Sequence, residues 1–421
     1  MSMSKRPARR LAAVLLAAAS LVALVAPAVS AAETKRKLLV VSVDGLDWRY
    51  LRDRDALGLS IPNLRRLLRE GDVAQGVVGV FPTVTWPSHT SIVTGVRPDQ
   101  HGVLSNGRIG APEYWSAADL KVPTLWGCAA EHGLTTAAVT WPVTNEAPIT
   151  WNLPENFSRR NGGSMDLEAV AAKATPGLVA EISQAYPSFP QQWVDDRTRT
   201  LATLFLLKRK RPDLVLVHLV DLDSEAHDQG PFDRNANAIL ERTDELIGDM
   251  VRALPAGYDL VVTSDHGFER LDHVSNLKVL LAQAGIKGEL QPMGGLVTTK
   301  DPAVADFLRS PRARAEGFVG REIPHDELVR YAPRFADVAA AFEPADHVMF
   351  GRADSGPVLT APREKGEHGF WPLRRDYRSV FLAWGPGVET RSEPQMQMLD
   401  IESRLAGLVG ITCRGTAGRS G

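Results

Sequence analysis

The chain has 421 residues, with 48 basic and 50 acidic side chains and a formal charge of −2. That near balance argues against duplex nucleic acid as its main partner. Its two cysteines, Cys128 and Cys413, are too few for a disulfide framework and read as two buried thiols, with a single pairing in an oxidising compartment as the alternative.

Residues 1–31 read as an export signal. Lys5, Arg6, Arg9 and Arg10 make a positive start, an apolar stretch runs from Leu11 to Val29, and small residues follow around Ala31. A retained membrane anchor is the competing reading, disfavoured by Pro27 and by those small residues. Arg9-Arg10 is a weak twin-arginine match. Cleavage removes four cations and no acid, so the remainder is more acidic still. No later segment is long and apolar enough to span a bilayer, which predicts a secreted or periplasmic product without membrane attachment.

Lys37 to Val43 is an apolar, β-branched run ending in Asp44-Gly45, the pattern of a buried parallel strand. The same arrangement recurs at Asp213 to Val220, before Asp221-Leu222-Asp223, and at Tyr258 to Thr263, before Ser264-Asp265-His266-Gly267. Thr135 to Thr140 and Ser379 to Trp384 complete the expected strands. Helical periodicity fills Ile61 to Glu70, Thr124 to His132, Thr198 to Lys208, Ala236 to Ala253 and Leu399 to Val409. Strand and helix alternating in this way predict an α/β fold: a three-layer α/β/α sandwich with a mostly parallel central sheet. Residues 34–270 and 364–415 would form its core. Between them, residues 271–363 carry shorter, mixed elements punctuated by Pro292, Gly294, Gly295, Pro302 and Pro311, and read as a small α+β insertion.

The chemistry-bearing residues lie at these strand ends. Thr85, in Phe81-Pro82-Thr83-Val84-Thr85-Trp86-Pro87, falls at the start of a helix, where free amides favour a bound phosphate. On that segment alone, an ordinary N-cap threonine is the favoured reading. Asp223 and His227, four apart, share one face of a helix. Asp265-His266-Gly267 and Glu367-His368-Gly369 each place ligand-type residues before a flexible glycine. His89 and His101 read as buried structural histidines, His132, His325 and His347 as surface or satisfied polar residues, and His273 as a spare ligand.

Taken in order, Val-Asp-Gly, Phe-Pro-Thr-x-Thr-x-Pro-x-His-x-Ser-Ile-Val-Thr-Gly, His-Gly-Val, Asp-x-x-x-His, Ser-Asp-His-Gly and His-Gly-Phe resemble the nucleotide pyrophosphatase/phosphodiesterase family of the alkaline phosphatase superfamily. The resemblance runs from Lys37 to Ile411 and is thin over Asn152 to Asp195 and Leu271 to Arg363. It implies that Asp44, Thr85, Asp265 and His266 hold one zinc and that Asp223, His227 and His368 hold a second, manganese being the alternative by ligand type. Thr85 would attack phosphorus in line and become a phosphoryl-threonine, on a small phosphorylated substrate such as a nucleotide.

Two positions depart from the family's pattern. Ser88 stands where the family usually has an asparagine whose amide binds a phosphate oxygen. Of the two positions that resemble a base-stacking clamp, Trp86 keeps its aromatic ring, while His218 replaces a tyrosine. The metal ligands do not separate a phosphodiesterase from a phosphomonoesterase or phosphonate hydrolase of the same superfamily. A non-catalytic secreted binding protein is the reading from another class. Neither cysteine lies in the Cys-x-Pro-x-Arg setting of a sulfatase, and nothing in the sequence bears on oligomeric state.

Overall fold

The computed structural model describes residues 1, 36–107, 115–156, 167–189 and 194–413; the expected export signal lies outside the described residues. The described residues between Arg36 and Cys413 form one compact unit. Its centre is a sheet of nine strands among the described residues. In chain order these are β1 (Lys37–Val43), β2 (Asp72–Val78), β3 (Thr136–Val139), β4 (Trp151–Leu153), β5 (Leu214–Leu219), β6 (Tyr258–Thr263), β7 (Ser379–Trp384), β8 (Arg391–Glu393) and β9 (Met396–Gln397). They are arranged β8-β2-β7-β6-β1-β5-β3-β4, with β9 also paired to β2.

β1 sits in the middle, parallel to both β5 and β6. β7 runs antiparallel to both its neighbours, and the other pairings are parallel. Side chains alternate across a strand, so β1 feeds two cores. Leu39, Val41 and Val43 pack with Leu64, Phe205, Leu240 and Ile247 on one face. Leu38 and Val40 pack with Ile92, Trp126, Ile401 and Leu405 on the other. Helices therefore cover both faces, and a sheet buried on both sides reads as the continuous apolar runs seen in β1, β5 and β6. The fold is an α/β sandwich.

Strand β2 has no clear sequence signature, because Gly76 interrupts it with φ +115° and its residues alternate poorly. The cysteines also differ from expectation. Cys128, on the helix Leu125–Glu131, and Cys413, just beyond the helix Ile401–Leu408, lie in one apolar cluster and form a disulfide, with Cα atoms 5.6 Å apart. The free-thiol expectation is thus corrected. A partner 285 residues away leaves no local signal, and only the packing of the two helices reveals it.

Between Leu271 and Arg363 the strands Gln291–Pro292, Val297–Thr299, Val319–Glu322 and Ala340–Pro344 make a separate antiparallel sheet. It has its own apolar cluster around Leu280, Leu308 and Phe342.

Candidate active site

Asp44 directly follows β1, and its backbone N–H donates to Leu219 O at 2.8 Å, which aligns the ends of β1 and β5. Gly45 then turns the chain with φ +67°. A Cβ there would come within 2.9 Å of the Phe268 ring and 3.3 Å of Asp223 Cα, so glycine lets three site segments close on one another. Its N–H donates to Asp265 Oδ1 at 3.2 Å, across 220 residues of sequence.

Asp223 and His227 lie one turn apart on the helix α1 (Asp221–Gln229), with His227 Nε2 3.5 Å from Asp223 Oδ2. The start of that helix is pinned by Asp196. Its buried carboxylate accepts from Val220 N at 2.7 Å and Asp221 N at 3.1 Å, and Arg199 Nη1 lies 3.1 Å away. His368 arrives on a loop tied to the turn before Thr85. Gly369 N donates to Thr83 O at 2.9 Å, and Thr83 Oγ1 donates to Phe370 O at 2.6 Å.

Six of the seven expected ligands fall into two sets. Asp44, Asp265 and His266 each offer a ligand atom within 4.8 Å of the others, and so do Asp223, His227 and His368. His227, Glu364 and Glu367 form a third, overlapping set among the described residues. The donor chemistry, two carboxylates with imidazole and one carboxylate with two imidazoles, suits a zinc-type ion. The electrostatics point the same way. Burial and the nearby Asp223 charge push the Asp44 pKa well above the usual carboxylate range, and burial and Asp44 do the same to Asp265. Burial and neighbouring imidazoles hold His266 and His368 well below the ordinary value, leaving both neutral. Asp44 Oδ1, Asp265 Oδ2, His266 Nε2, Asp223 Oδ1 and His368 Nδ1 are buried without a hydrogen-bond partner among the described residues. His266 Nε2 lies 3.1 Å from Asp265 Oδ2, yet that contact lacks hydrogen-bond geometry. Such a concentration of orphaned donors and acceptors is costly unless a cation resolves it.

Thr85 is the first residue of the helix α2 (Thr85–Thr94) and is 8 % exposed. Its carbonyl accepts from His89 Nδ1 at 2.8 Å. A carbonyl can only accept, so Nδ1 carries the proton and Nε2 accepts from Ser42 Oγ at 2.8 Å. His89 Nδ1 is also 3.6 Å from Asp265 Oδ2, which sets the Thr85 turn beside the first ligand set. His89 and His101 are both fully buried, as expected. His273 lies in none of the three sets.

Asparagine chemistry is present, but not at position 88. Ser88 is fully buried, and its Oγ has no partner among the described residues. Asn106 instead brings Nδ2 within 3.4 Å of Thr85 Oγ1 and accepts from Trp86 N at 3.0 Å through Oδ1. The amide beside the Thr85 hydroxyl thus comes from a loop 21 residues on. The only sequence signal is Ser105-Asn106-Gly107, a turn shortly after His101-Gly102-Val103.

Trp86 and His218 are 2 % and 1 % exposed. One carboxylate, Glu155, engages both: Oε1 accepts from Trp86 Nε1 at 3.0 Å and Oε2 from His218 Nδ1 at 2.8 Å. His218 Nε2 lies 2.9 Å from Asp44 Oδ2. The structure therefore places His218 behind the first ligand set, bonded at both nitrogens, rather than on an open wall where a base could stack. Glu155 lies in a stretch without a legible motif.

A family model described as type I phosphodiesterase/nucleotide pyrophosphatase matches residues 38–371. The chain belongs to that family, within the alkaline phosphatase superfamily. It is accordingly a hydrolase of phosphoric esters, from a metal-dependent family. Among its relatives, ectonucleotide pyrophosphatase/phosphodiesterase family member 7 of Homo sapiens is 24% identical over 416 residues, covering 89% of this chain and 81% of the relative. Bis(5'-adenosyl)-triphosphatase ENPP4 of Pongo abelii is 28% identical over 400 residues, covering 89% and 78%. Murine ectonucleotide pyrophosphatase/phosphodiesterase 5, solved as an inactive variant in complex with AMP, shares the fold with a TM-score of 0.63 at 20% identity, covering 90% of this chain and 96% of that one.

Proposed function

We propose that the chain is an exported phosphodiesterase or nucleotide pyrophosphatase that cleaves its substrate through a phosphoryl-threonine at Thr85. The observation that carries this reading is the juxtaposition of two candidate ligand sets, each with buried polar atoms that lack partners among the described residues, beside a threonine at a helix start. Asp44, Asp265 and His266, with Thr85, would hold one metal ion, and Asp223, His227 and His368 a second, with zinc favoured over manganese. Bound there, the ions supply Lewis-acid stabilisation of the phosphoryl oxygens and lower the pKa of the attacking hydroxyl.

The chain's own residues do the rest. Thr85 Oγ1 gives its proton to solvent and attacks phosphorus, the bond to the leaving alcohol or phosphate breaks as that oxygen takes up a proton, and water later cleaves the phosphoryl-threonine, its oxygen staying on phosphorus and a proton returning to Thr85. The Asn106 amide, beside Thr85 Oγ1, donates to a non-bridging phosphate oxygen as charge builds there. His89 fixes the Thr85 backbone, and Asp196 fixes the helix that presents Asp223 and His227. On this reading residues 1–31 direct export, 34–270 and 364–415 form the catalytic core, and 271–363 form an insertion beside the site. Among the described residues no helix is long and apolar enough to cross a membrane.

The test is metal content of the purified chain, together with hydrolysis of para-nitrophenyl thymidine monophosphate and para-nitrophenyl phosphate before and after chelation. About two zinc ions per chain and a chelator-sensitive preference for the diester are expected. Preference for the monoester would shift the reading to a phosphomonoesterase, and absence of both metal and turnover after zinc is restored would leave a binding protein.

A further inference from the structure

The two ligand sets are joined by a short piece of chain. His218, near the end of β5, lies with Nε2 2.9 Å from Asp44 Oδ2 in the first set, and Asp223, in the first turn of α1, belongs to the second. Residues 219–222 run between them, so their conformation decides where one set stands against the other.

A ring of buried side chains closes round this connection. Val220 N and Asp221 N donate to the Asp196 carboxylate, and Asp196 N returns a bond to Asp221 Oδ2 at 3.3 Å. Arg199, one turn further along the helix Asp196–Phe205, donates from Nη1 to Asp196 Oδ1 at 3.1 Å and from Nε to Thr140 Oγ1 at 2.9 Å. The Thr140 hydroxyl uses its one proton on His218 O, at 3.1 Å, and accepts from Arg199. The ring thus runs from the His218 carbonyl through Thr140, Arg199 and Asp196 to the first amides of α1. Asp196, Arg199, Thr140 and His218 are all buried.

Two features set this ring apart from an ordinary buried ion pair. A single planar guanidinium serves the carboxylate and the hydroxyl together, which the point charge of a lysine does not. Thr140 has φ +50°, a left-handed conformation that a β-branched residue keeps only where its surroundings impose it. Buried ion pairs add little net stability over apolar packing, so their use here lies in fixing an arrangement.

Resting on the proposed reading of the two ligand sets, we infer that Arg199 is a positioning residue that holds Asp223, and with it the second set, in place against the first. Without its fork, the His218 carbonyl and the start of α1 lose their common partner. Asp44, Asp265 and His266, which follow β1 and β6 directly, are held by the sheet instead.

Two variants open the ring from different sides. Arg199→Lys keeps a cation beside Asp196, and Thr140→Val keeps the shape at position 140; cooperative thermal unfolding establishes that each is folded. Hydrogen exchange on the metal-free chain reads the ring itself: the amides of residues 219–224 should exchange about 10-fold faster or more in both variants, with those of β1 unchanged. Stepwise titration with Co(II), whose visible absorption reports ligand geometry, reads the two sets, and the step missing in Asp223→Ala identifies the second. That step should weaken by about 10- to 100-fold in both variants and change its spectrum, while the other keeps its affinity. Unchanged exchange at residues 219–224 overturns the inference, as does equal weakening of both steps, which would mark a general loss of structure. Absence of Co(II) binding by the unaltered chain, with the exchange difference intact, overturns only the reading of the site.

Discussion

The carboxylate of Glu155 accepts a hydrogen bond from His218 Nδ1 at 2.8 Å, and through that ring it reaches Asp44, whose Oδ2 lies 2.9 Å from His218 Nε2. All three are at least nine-tenths buried, so the arrangement is held in place by its surroundings. Groups behind a ligand fix its orientation and tune its affinity. Glu155→Gln should therefore weaken metal retention by about 10- to 100-fold. Competition with a chelator measures this directly, and unchanged retention would show that Glu155 serves Trp86 alone.

Thr85→Ala should lower turnover by about 10³-fold or more while metal content stays close to normal. Asp223→Ala and His368→Ala should lower metal content as well as rate. Retention of most of the activity by Thr85→Ala would remove the covalent step from the mechanism.

Asn106 and Ser88 make opposite predictions. Asn106→Ala should reduce kcat and kcat/KM together by about 10²- to 10³-fold, the effect of deleting a donor used chiefly in the transition state. Ser88→Asn should bring no gain in rate, because the amide it would supply is already present. A marked gain would mean that Asn106 does not reach the phosphate.

The Cys128–Cys413 disulfide closes a loop across most of the fold. Cys128→Ser/Cys413→Ser should cost about 2–5 kcal/mol of stability, read as a lower denaturant midpoint, while the catalytic parameters change little. An unchanged midpoint would mean that the surrounding helices alone hold the two segments together.

His101 gives the pH dependence a defined sign. Burial holds its pKa at about 4, against 6.5 for the free side chain. Below pH 6.5 the unfolded chain takes up a proton that the folded chain refuses, so stability is full above that value and is lost as pH falls toward about 4. The slope contributed is about 1.4 kcal/mol per pH unit. His101→Gln should flatten this limb when urea midpoints are compared at pH 7 and pH 5, and an identical slope in both proteins would assign it to other groups.

Strands with one uninterrupted apolar run are legible because burial on both faces demands such a run. Lys37–Val43, Tyr258–Thr263 and Ser379–Trp384 span the residues their composition predicts. Asp44, Asp223 and Asp265 stand out for the same reason: a carboxylate directly after a buried strand, or one turn into the next helix, is conspicuous. Asn106, Glu155 and the disulfide do not stand out. Each acts through a contact with a residue distant in the chain, in a stretch with no periodicity of its own. The antiparallel direction of β7 is equally silent, since its apolar run is the same read either way. Ser88 departs from the motif, whereas the space beside Thr85 is filled by Asn106 from another loop.

The pairing of Gly45 with Asp265 spans 220 residues, and His368 comes later still. No single stretch of polypeptide can gather either ligand set, so an incomplete chain has nothing with which to grip an ion tightly. On the proposed reading, metal capture would report that the whole sheet has closed. An ion that binds only that closed form would also draw the folding equilibrium toward it.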